Sequence, residues 1–146
     1  MVATDISAAA LAIADKNAHT LGLDSQIVFR QGNLFDPVDD FFDIIVSNPP
    51  YIADAEYAKL PAGVKDYEPP EALLAGAKGL DFYRKIINEA PGHLKNNGWL
   101  LLEIGATQSA SVVNIAETSG HYSDMSIRND YAGLPRVIKA RRKNSG

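Results

Sequence analysis

The 146-residue sequence contains no cysteine, so it can form neither a disulfide bond nor a metal site with thiolate ligands. It also has no apolar run near the ~20 residues that a membrane-spanning helix requires. Residues 1–15 lack the basic start and apolar centre of a signal peptide, so we expect no membrane partner. Since the absence of cysteine suits a reducing compartment, we expect a cytoplasmic protein.

An excess of positive charge is missing as well. The chain has 14 basic and 18 acidic residues, which gives a formal net charge of −4. Because sequence-independent binding to nucleic acid depends on a basic face, we expect no nucleic-acid partner. We interpret the basic residues clustered between Arg136 and Lys143 as a last strand with a solvated tail.

Predicted strands and helices alternate along the chain. Ser7 is a suitable N-cap for a first helix that Gly22 ends; Pro91 bends or ends a second helix, and Gly120 ends a third. Strands are predicted at residues 2–5, 26–32, 41–48, 98–105, 123–131 and 135–142. This order indicates an α/β domain with a mostly parallel sheet and an antiparallel C-terminal hairpin. The second helix has an apolar face formed by Tyr83, Ile86, Ile87, Ala90 and Leu94.

Two stretches of this pattern carry more specific expectations. The strand at 41–48 is apolar on both faces, so we expect it to be fully buried, as the central strands of parallel sheets are. The segment from Ala53 to Gly79 contains prolines and shows no sustained apolar period. Because long loops in compact domains are usually functional, we expect this segment to face the substrate and to be more mobile than the strands.

The stretch SNPPYI, residues 47–52, follows directly on the apolar run FFDIIV. Two prolines cannot extend a central strand, because neither has a backbone N–H. The Asn48 side chain and the Pro49 carbonyl are hydrogen-bond acceptors that the rigid proline rings hold in place. Tyr51 supplies a flat aromatic ring beside them. Two acceptors beside an aromatic ring suit a planar –NH2 group of an amide or an exocyclic amine. Holding both of its protons orients this weakly nucleophilic nitrogen toward an electrophile, which is catalysis by positioning.

The alternative for SNPPYI is an ordinary Pro-Pro turn in which Asn48 caps a backbone group. However, Asp5, Asn33 and Asn48 each follow a predicted strand. Ligands of open α/β sheets bind beyond the carboxyl ends of the strands, so we expect these three side chains to converge at one edge of the sheet. The three histidines show no spacing typical of metal ligands, and no metal site is expected.

Several stretches together resemble the HemK/PrmC family, the protein-glutamine N5-methyltransferases that act on peptide chain release factors. They are ATDIS, GNLFDP, FDIIVSNPPYI, EPPEALLAGAKGLDFYRKIINEAP, GWLLLEIG and RVIKARR, of which GLDFYRKII discriminates best. The resemblance implies the class I S-adenosylmethionine-dependent methyltransferase fold, with a Rossmann-like sheet. It also implies transfer of a methyl group from S-adenosylmethionine to a glutamine side-chain amide of a release factor, which would be the protein partner.

The resemblance further implies which residues bind the cofactor. Asp5 would accept hydrogen bonds from the ribose hydroxyls, and Asn33 and Leu34 would flank the adenine. The full set of expected cofactor-binding residues is Asp5, Ile6, Asn33, Leu34 and Asn48. The competing interpretations are a helix cap for Asp5 and core packing for Leu34.

The expected catalytic residues, also implied by the resemblance, are the four of the turn. Asn48 and the carbonyl of Pro49 would hold the substrate amide. Pro50 would fix the turn, and Tyr51 would pack on the plane of the amide. Two other functions remain open at this point: an N6-adenine-type methyltransferase of nucleic acid, and an inactive remnant that binds no cofactor.

The sequence departs from the family at its N-terminal end. The family has a glycine-rich strand-loop-helix before ATDIS, whereas no glycine here precedes Gly22. We therefore expect residues 1–146 to be a single truncated catalytic domain that lacks the first strand and the glycine loop. The strands at 2–5 and 41–47 would each lack a neighbour on one side, and the chain could associate with itself through these exposed edges.

We expect the 146-residue chain to bind S-adenosylmethionine far more weakly than an intact relative does. The methionine end of the cofactor needs a closely approaching glycine loop, and the expected site here contacts only the ribose and the adenine. Calorimetric titration of the purified chain measures this affinity. Micromolar affinity in a stable monomer would contradict the expectation.

Overall fold

The computed structural model describes residues 1–144, and the chain divides into two compact units. Unit 1 is Met1–Asp40, and unit 2 is Phe41–Gly146, described up to residue 144. The order of strands and helices is the one that the sequence predicts. No helix within residues 1–144 is both long and apolar enough to cross a bilayer.

Unit 1 contains two parallel strands joined by a helix. Its elements are β1 (Val2–Asp5), α1 (Ala8–Thr20), a 3-10 turn (Asp24–Gln26) and β2 (Val28–Gln31). The register runs from Val2 opposite Val28 to Asp5 opposite Gln31. As predicted, Ser7 caps α1, because its side chain accepts from the Ala10 N–H, and Gly22 follows the helix at a φ of +67°.

Unit 2 contains a four-stranded sheet in the order β3-β4-β6-β5. The strands are β3 (Phe42–Ser47), β4 (Leu94–Glu103), β5 (Tyr122–Asn129) and β6 (Pro135–Arg142). β3 and β4 are parallel, whereas β6 is antiparallel to both β4 and β5. The predicted parallel pairing and the antiparallel C-terminal hairpin are therefore confirmed.

The helices of unit 2 differ greatly in length. They are α2 (Asp54–Tyr57), α3 (Ala62–Lys65), α4 (Asp81–Glu89) and α5 (Ser109–Ser119). The segment from 53 to 79, predicted to lack regular structure, contains only the single turns α2 and α3, a 3-10 turn (Pro70–Ala72) and one bridge between Ile52 and Leu74.

The core of unit 2 lies where α4 and α5 pack on the sheet. The five residues of the predicted apolar face, Tyr83, Ile86, Ile87, Ala90 and Leu94, are at most 1% exposed. They do not all lie on one helix, because Ala90 begins the 3-10 turn after α4 and Leu94 begins β4. Leu100 and Leu102 of β4 and Val112 of α5 are buried with them. Each large side chain buried in this way contributes about 1.5–3 kcal/mol, so this cluster stabilises the surface on which the loops after the strands are built.

The expected full burial of β3 is wrong. Ile44 is 56% exposed and Val46 is 72% exposed, whereas Ile45 between them is half-buried. β3 pairs with β4 alone, so it is an edge strand of its sheet. Alternate side chains of a strand point to opposite faces, and within residues 1–144 the face with Ile44 and Val46 stays open. Within the described residues β1 likewise pairs with one strand only, β2.

The end of α4 depends on a hydrogen bond from β5. Pro91 has no N–H, so it cannot donate to the carbonyl of Ile87 four residues earlier. The chain leaves the α-helix at this point and continues as a 3-10 turn (Ala90–Gly92), which confirms the predicted effect of Pro91. The buried hydroxyl of Tyr122 donates to the Ile87 carbonyl at 2.8 Å and replaces the missing N–H. Burial also raises the pKa of Tyr122, so its phenol remains a donor.

We expect Tyr122→Phe to lower the free energy of unfolding by about 1–3 kcal/mol, because the buried Ile87 carbonyl would lose its donor. Chemical denaturation of the two proteins measures the difference. Tyr131→Phe is the matched control, since Tyr131 is fully exposed in the turn before β6. Equal losses for the two substitutions would contradict the role assigned to the Tyr122 hydroxyl.

Candidate active site

The turn that follows β3 presents a polar side chain at the end of the strand. β3 ends at Ser47, which lies opposite Leu102 of β4. Asn48 is exposed and Pro49 is buried. No backbone N–H of the loops and turns within residues 1–144 donates to the Pro49 carbonyl. The strand end therefore offers two acceptors, the Asn48 side chain and the Pro49 carbonyl, on a rigid base.

The chain beyond the turn is held by a short piece of parallel pairing. The Ile52 N–H donates to the Leu73 carbonyl at 2.8 Å, and the Ala75 N–H donates to the Ile52 carbonyl at 2.9 Å. The Asp54 N–H donates to the Gly76 carbonyl at 3.2 Å. Residues 73–76, which lie near the end of the long loop segment, therefore anchor the exit of the turn.

The side chain of Gln108 connects the turn to three other parts of unit 2. Its Nε2 donates to the Tyr51 carbonyl at 2.9 Å and to the Gly79 carbonyl at 3.2 Å. Its Oε1 accepts from the Gly105 N–H at 3.1 Å and from the Tyr83 hydroxyl at 3.3 Å. Burial raises the pKa of Tyr83 well above its ordinary value, so the phenol keeps the proton that it donates.

A cleft of about 340 Å³ lies between the turn and the long loop. The turn side consists of residues 48–52, and the opposite side includes Gly63 and Val64 of α3, the exposed Tyr67 and Glu68, and Ala72 and Leu73. All of these residues belong to unit 2. The loop segment thus borders the candidate catalytic turn, as expected of a substrate-facing loop; its mobility stays a prediction.

The residues expected to hold the ribose lie in unit 1. Asp5 is the last residue of β1 and is exposed, and its Oδ1 accepts from the Ser7 N–H at 2.7 Å. Asp5 therefore takes part in starting α1, as the competing interpretation proposed, although Ser7 is the N-cap. Its Oδ2 accepts no hydrogen bond from residues 1–144 that the structure shows, and it remains available to a diol. Ile6, next to it, is 65% exposed.

The loop after β2 places Asn33 and Leu34 beside the end of β1. The Gly32 N–H donates to the Asp5 carbonyl at 3.1 Å, and the Thr4 hydroxyl donates to the Leu34 carbonyl at 3.2 Å. Leu34 has a φ of +50°, a left-handed conformation that costs a non-glycine residue roughly 1–2 kcal/mol. Asn33 is exposed and Leu34 is half-buried, so both the adenine contact and the packing interpretation of Leu34 stay open.

The structure thus brings the predicted residues together in two groups. Asp5, Ile6, Asn33 and Leu34 lie at the carboxyl ends of two neighbouring strands of unit 1. Asn48, Pro49, Pro50 and Tyr51 form the turn of unit 2. Within residues 1–144 there is no group of three His, Asp or Glu side chains that could hold a metal ion.

Sequence reasoning missed Gln108 and Gly79, which the fold brings against the turn. Gly79 has a φ of +67°, and a Cβ there would collide with the Tyr51 carbonyl oxygen and with Gln108. The available signal was weak. It consisted of the glycine that begins the discriminating GLDFYRKII stretch and of a glutamine at the start of a helix, where Ser, Thr, Asp or Asn is preferred.

Comparison with known proteins identifies the relatives of this sequence. The family described as "Methyltransferase small domain" matches residues 1–61. The release factor glutamine methyltransferase of Cereibacter sphaeroides is 45% identical over 140 residues, which cover 96% of this chain and 50% of that protein. The enzyme of the same name from Geobacter sulfurreducens is 39% identical over 97% of this chain and 49% of its own length. The chain spans about half the length of these curated relatives, and the resemblance indicated by the motifs is confirmed over that half.

Solved structures show the fold independently. A methyltransferase from Pyrococcus furiosus superposes with a TM-score of 0.67 at 20% identity and covers 98% of this chain and 62% of its own. The methyltransferase SMU.776, solved in complex with SAH, superposes with a TM-score of 0.58 at 16% identity, over 96% of this chain and 38% of its own. The fold is therefore that of the class I S-adenosylmethionine-dependent methyltransferases.

We expect Gly79→Ala to destabilise unit 2 more than Gly120→Ala does. Both glycines have a positive φ, so both substitutions incur the left-handed penalty of roughly 1–2 kcal/mol. Only at residue 79 does the new methyl group meet the Tyr51 carbonyl, since the space around Gly120 is open. Denaturation curves measure both losses. Equal losses would show that the turn can move away from Gly79 freely.

Proposed function

We propose that this chain is the part of a release factor glutamine methyltransferase that holds the substrate amide in the catalytic domain. The chain matches enzymes of that name over about half of their length. The reaction is transfer of a methyl group from S-adenosylmethionine to the side-chain amide nitrogen of a glutamine in a peptide chain release factor. The observation that carries the proposal is the turn after β3, with two aimed acceptors inside a sequence 45% identical to an enzyme of that name.

The residues of the turn perform the chemistry by positioning. The Oδ1 of Asn48 accepts one amide proton of the glutamine, and the Pro49 carbonyl accepts the other. Pro50 keeps the turn rigid, and Tyr51 packs on the plane of the amide. Two hydrogen bonds fix the nitrogen and direct its lone pair out of the turn, so the attacking atom enters the reaction already oriented. S-adenosylmethionine, when bound, supplies the electrophilic methyl group.

Unit 1 carries the groups proposed for the cofactor. The exposed carboxylate of Asp5 is a double acceptor that suits the two hydroxyls of a ribose. Asn33 and Leu34, held next to β1 by the Thr4 hydroxyl, flank the adenine, and Ile6 adds apolar surface. On the family resemblance we include Asn48 among the cofactor contacts. These residues fit the cofactor, because the diol and the adenine find a carboxylate and an apolar edge where strands β1 and β2 end.

The cleft beside the turn is proposed to receive the release factor segment that carries the glutamine. Its walls combine the exposed ring of Tyr67 and the carboxylate of Glu68 with apolar residues such as Val64 and Leu73. Its place beside the Asn48–Tyr51 turn would bring the peptide side chain to the two acceptors. We place the reaction in the cytoplasm, where release factors act.

The alternative of an N6-adenine-type methyltransferase of nucleic acid is not favoured. The same turn would hold an exocyclic amine, but the relatives reported above are named for glutamine methylation. The acidic balance of the chain also opposes binding to a phosphate backbone.

We expect Asn48→Ala to lower the rate of methyl transfer by about 10²–10³-fold, the effect of removing one positioned polar group. The assay uses this sequence extended to the length of its relatives, with a release factor as substrate. Asn114→Ala on the exposed side of α5 is the control and should keep the wild-type rate. Unchanged folding with a wild-type rate in Asn48→Ala would exclude the positioning role.

A further inference from the structure

The position of Gln108 at the start of α5 does not by itself explain why this residue is a glutamine. It occupies the N-cap position of α5, where a short oxygen-bearing side chain is preferred, and its own side chain makes no capping hydrogen bond. A helix start alone would be served better by Ser or Asp. The identity of the residue must therefore be set by what its amide contacts.

The amide of Gln108 uses its full hydrogen-bonding capacity. A glutamine side chain has two N–H donors and an oxygen that accepts twice. Here Nε2 donates to the carbonyls of Tyr51 and Gly79, and Oε1 accepts from the Gly105 N–H and the Tyr83 hydroxyl. Lysine has no acceptor and glutamate at neutral pH has no donor, so only a neutral amide of this length satisfies all four partners.

The backbone around Gln108 is shaped to admit this amide. A Cβ at residue 105 would lie 2.6 Å from its Oε1, and a Cβ at residue 79 would lie 2.8 Å from its Nε2. Both neighbours are glycines, so the backbone approaches the amide from two sides. On the third side lies the Tyr51 carbonyl, the last backbone acceptor of the candidate catalytic turn.

We propose that Gln108 is a positioning residue that fixes the Asn48–Tyr51 turn in the orientation needed to hold the substrate amide. The two prolines leave the turn without N–H groups at two consecutive positions, so the turn cannot be held by its own donors there. Gln108 holds it from outside, through the Tyr51 carbonyl, and ties it to the buried Tyr83 of α4 and to the end of β4. This inference rests on the proposed function, because it takes the turn to be the site of the amide.

The test compares Gln108→Ala and Gln108→Glu with the wild-type 146-residue chain. Carbonyl ¹³C shifts of Tyr51 and Gly79 report the two hydrogen bonds directly, without any need for activity. A glutamine-containing peptide and its asparagine counterpart serve as binding probes. Asn88→Asp is the matched control, since this exposed amide donates only to the Arg84 carbonyl on α4.

We expect both carbonyl shifts to move in Gln108→Ala and the affinity for the glutamine peptide to fall by about tenfold. In Gln108→Glu the ionised carboxylate has no proton to donate to the carbonyls of Tyr51 and Gly79. Only its protonated form can donate to Tyr51, so the Tyr51 shift should return toward the wild-type value as the pH is lowered. Asn88→Asp should show neither change.

The inference would be overturned if the carbonyl ¹³C shifts of Gln108→Ala were those of the wild type. It would also be overturned if the Tyr51 carbonyl shift of Gln108→Glu did not change with pH. If Gln108→Ala does not fold, the pH dependence of the Tyr51 carbonyl shift in Gln108→Glu still tests the inference. Failure of the wild-type chain to prefer the glutamine peptide over the asparagine peptide would count against the proposed function. The carbonyl shifts would then test separately whether Gln108 anchors the Asn48–Tyr51 turn.

Discussion

Two consecutive prolines at the end of a strand determine how the rest of this site is built. Pro49 and Pro50 have no N–H, so the sheet cannot continue there and the turn cannot hold itself with backbone donors. Because the sheet ends at this point, its backbone hydrogen bonds do not use the carbonyl oxygens of the turn. Such oxygens are the acceptors that an amide –NH2 needs. A turn with this composition must therefore be anchored by other elements. Here the Gln108 side chain donates to the Tyr51 carbonyl, the Ala75 N–H donates to the Ile52 carbonyl, and the carbonyls of Leu73 and Gly76 accept from the chain beyond the turn.

The same constraint operates at the end of α4, with another outcome. Pro91 removes the donor that the Ile87 carbonyl would use, and the buried hydroxyl of Tyr122 replaces it. At Pro91 the unclaimed acceptor is inside the core and is satisfied by the protein, because a buried unpaired carbonyl costs about 1–3 kcal/mol. At Pro49 the carbonyl belongs to a turn that borders a cleft, where a ligand can satisfy it instead. The surroundings decide whether such an acceptor is satisfied inside the fold or borders a cleft that a ligand could enter.

Local sequence predicted most of the fold, because helix periodicity, caps and turn residues act over a few positions. Ser7, Gly22, Pro91 and Gly120 mark the helix ends where the structure has them. What local sequence could not predict is set over long distances. Gln108 contacts a carbonyl 57 residues away, and no spacing rule connects the two. The exposure of Ile44 and Val46 depends likewise on which elements cover that face of β3, and an apolar pattern alone does not determine that.

Asp5 and the Asn48–Tyr51 turn differ in how firmly the structure holds them. The carboxylate of Asp5 is exposed, and its Oδ1 accepts a hydrogen bond from the Ser7 N–H. The amide nitrogen of glutamine is a weak nucleophile, and its lone pair must point along one direction. Misplacement by about 1 Å can cost 10²-fold in rate, so the role proposed for the turn requires a rigid turn. The surroundings of Tyr51 suit that role: Gly79 lies against its carbonyl, and the Gln108 amide that donates to this carbonyl is itself held by Gly105 and the buried Tyr83.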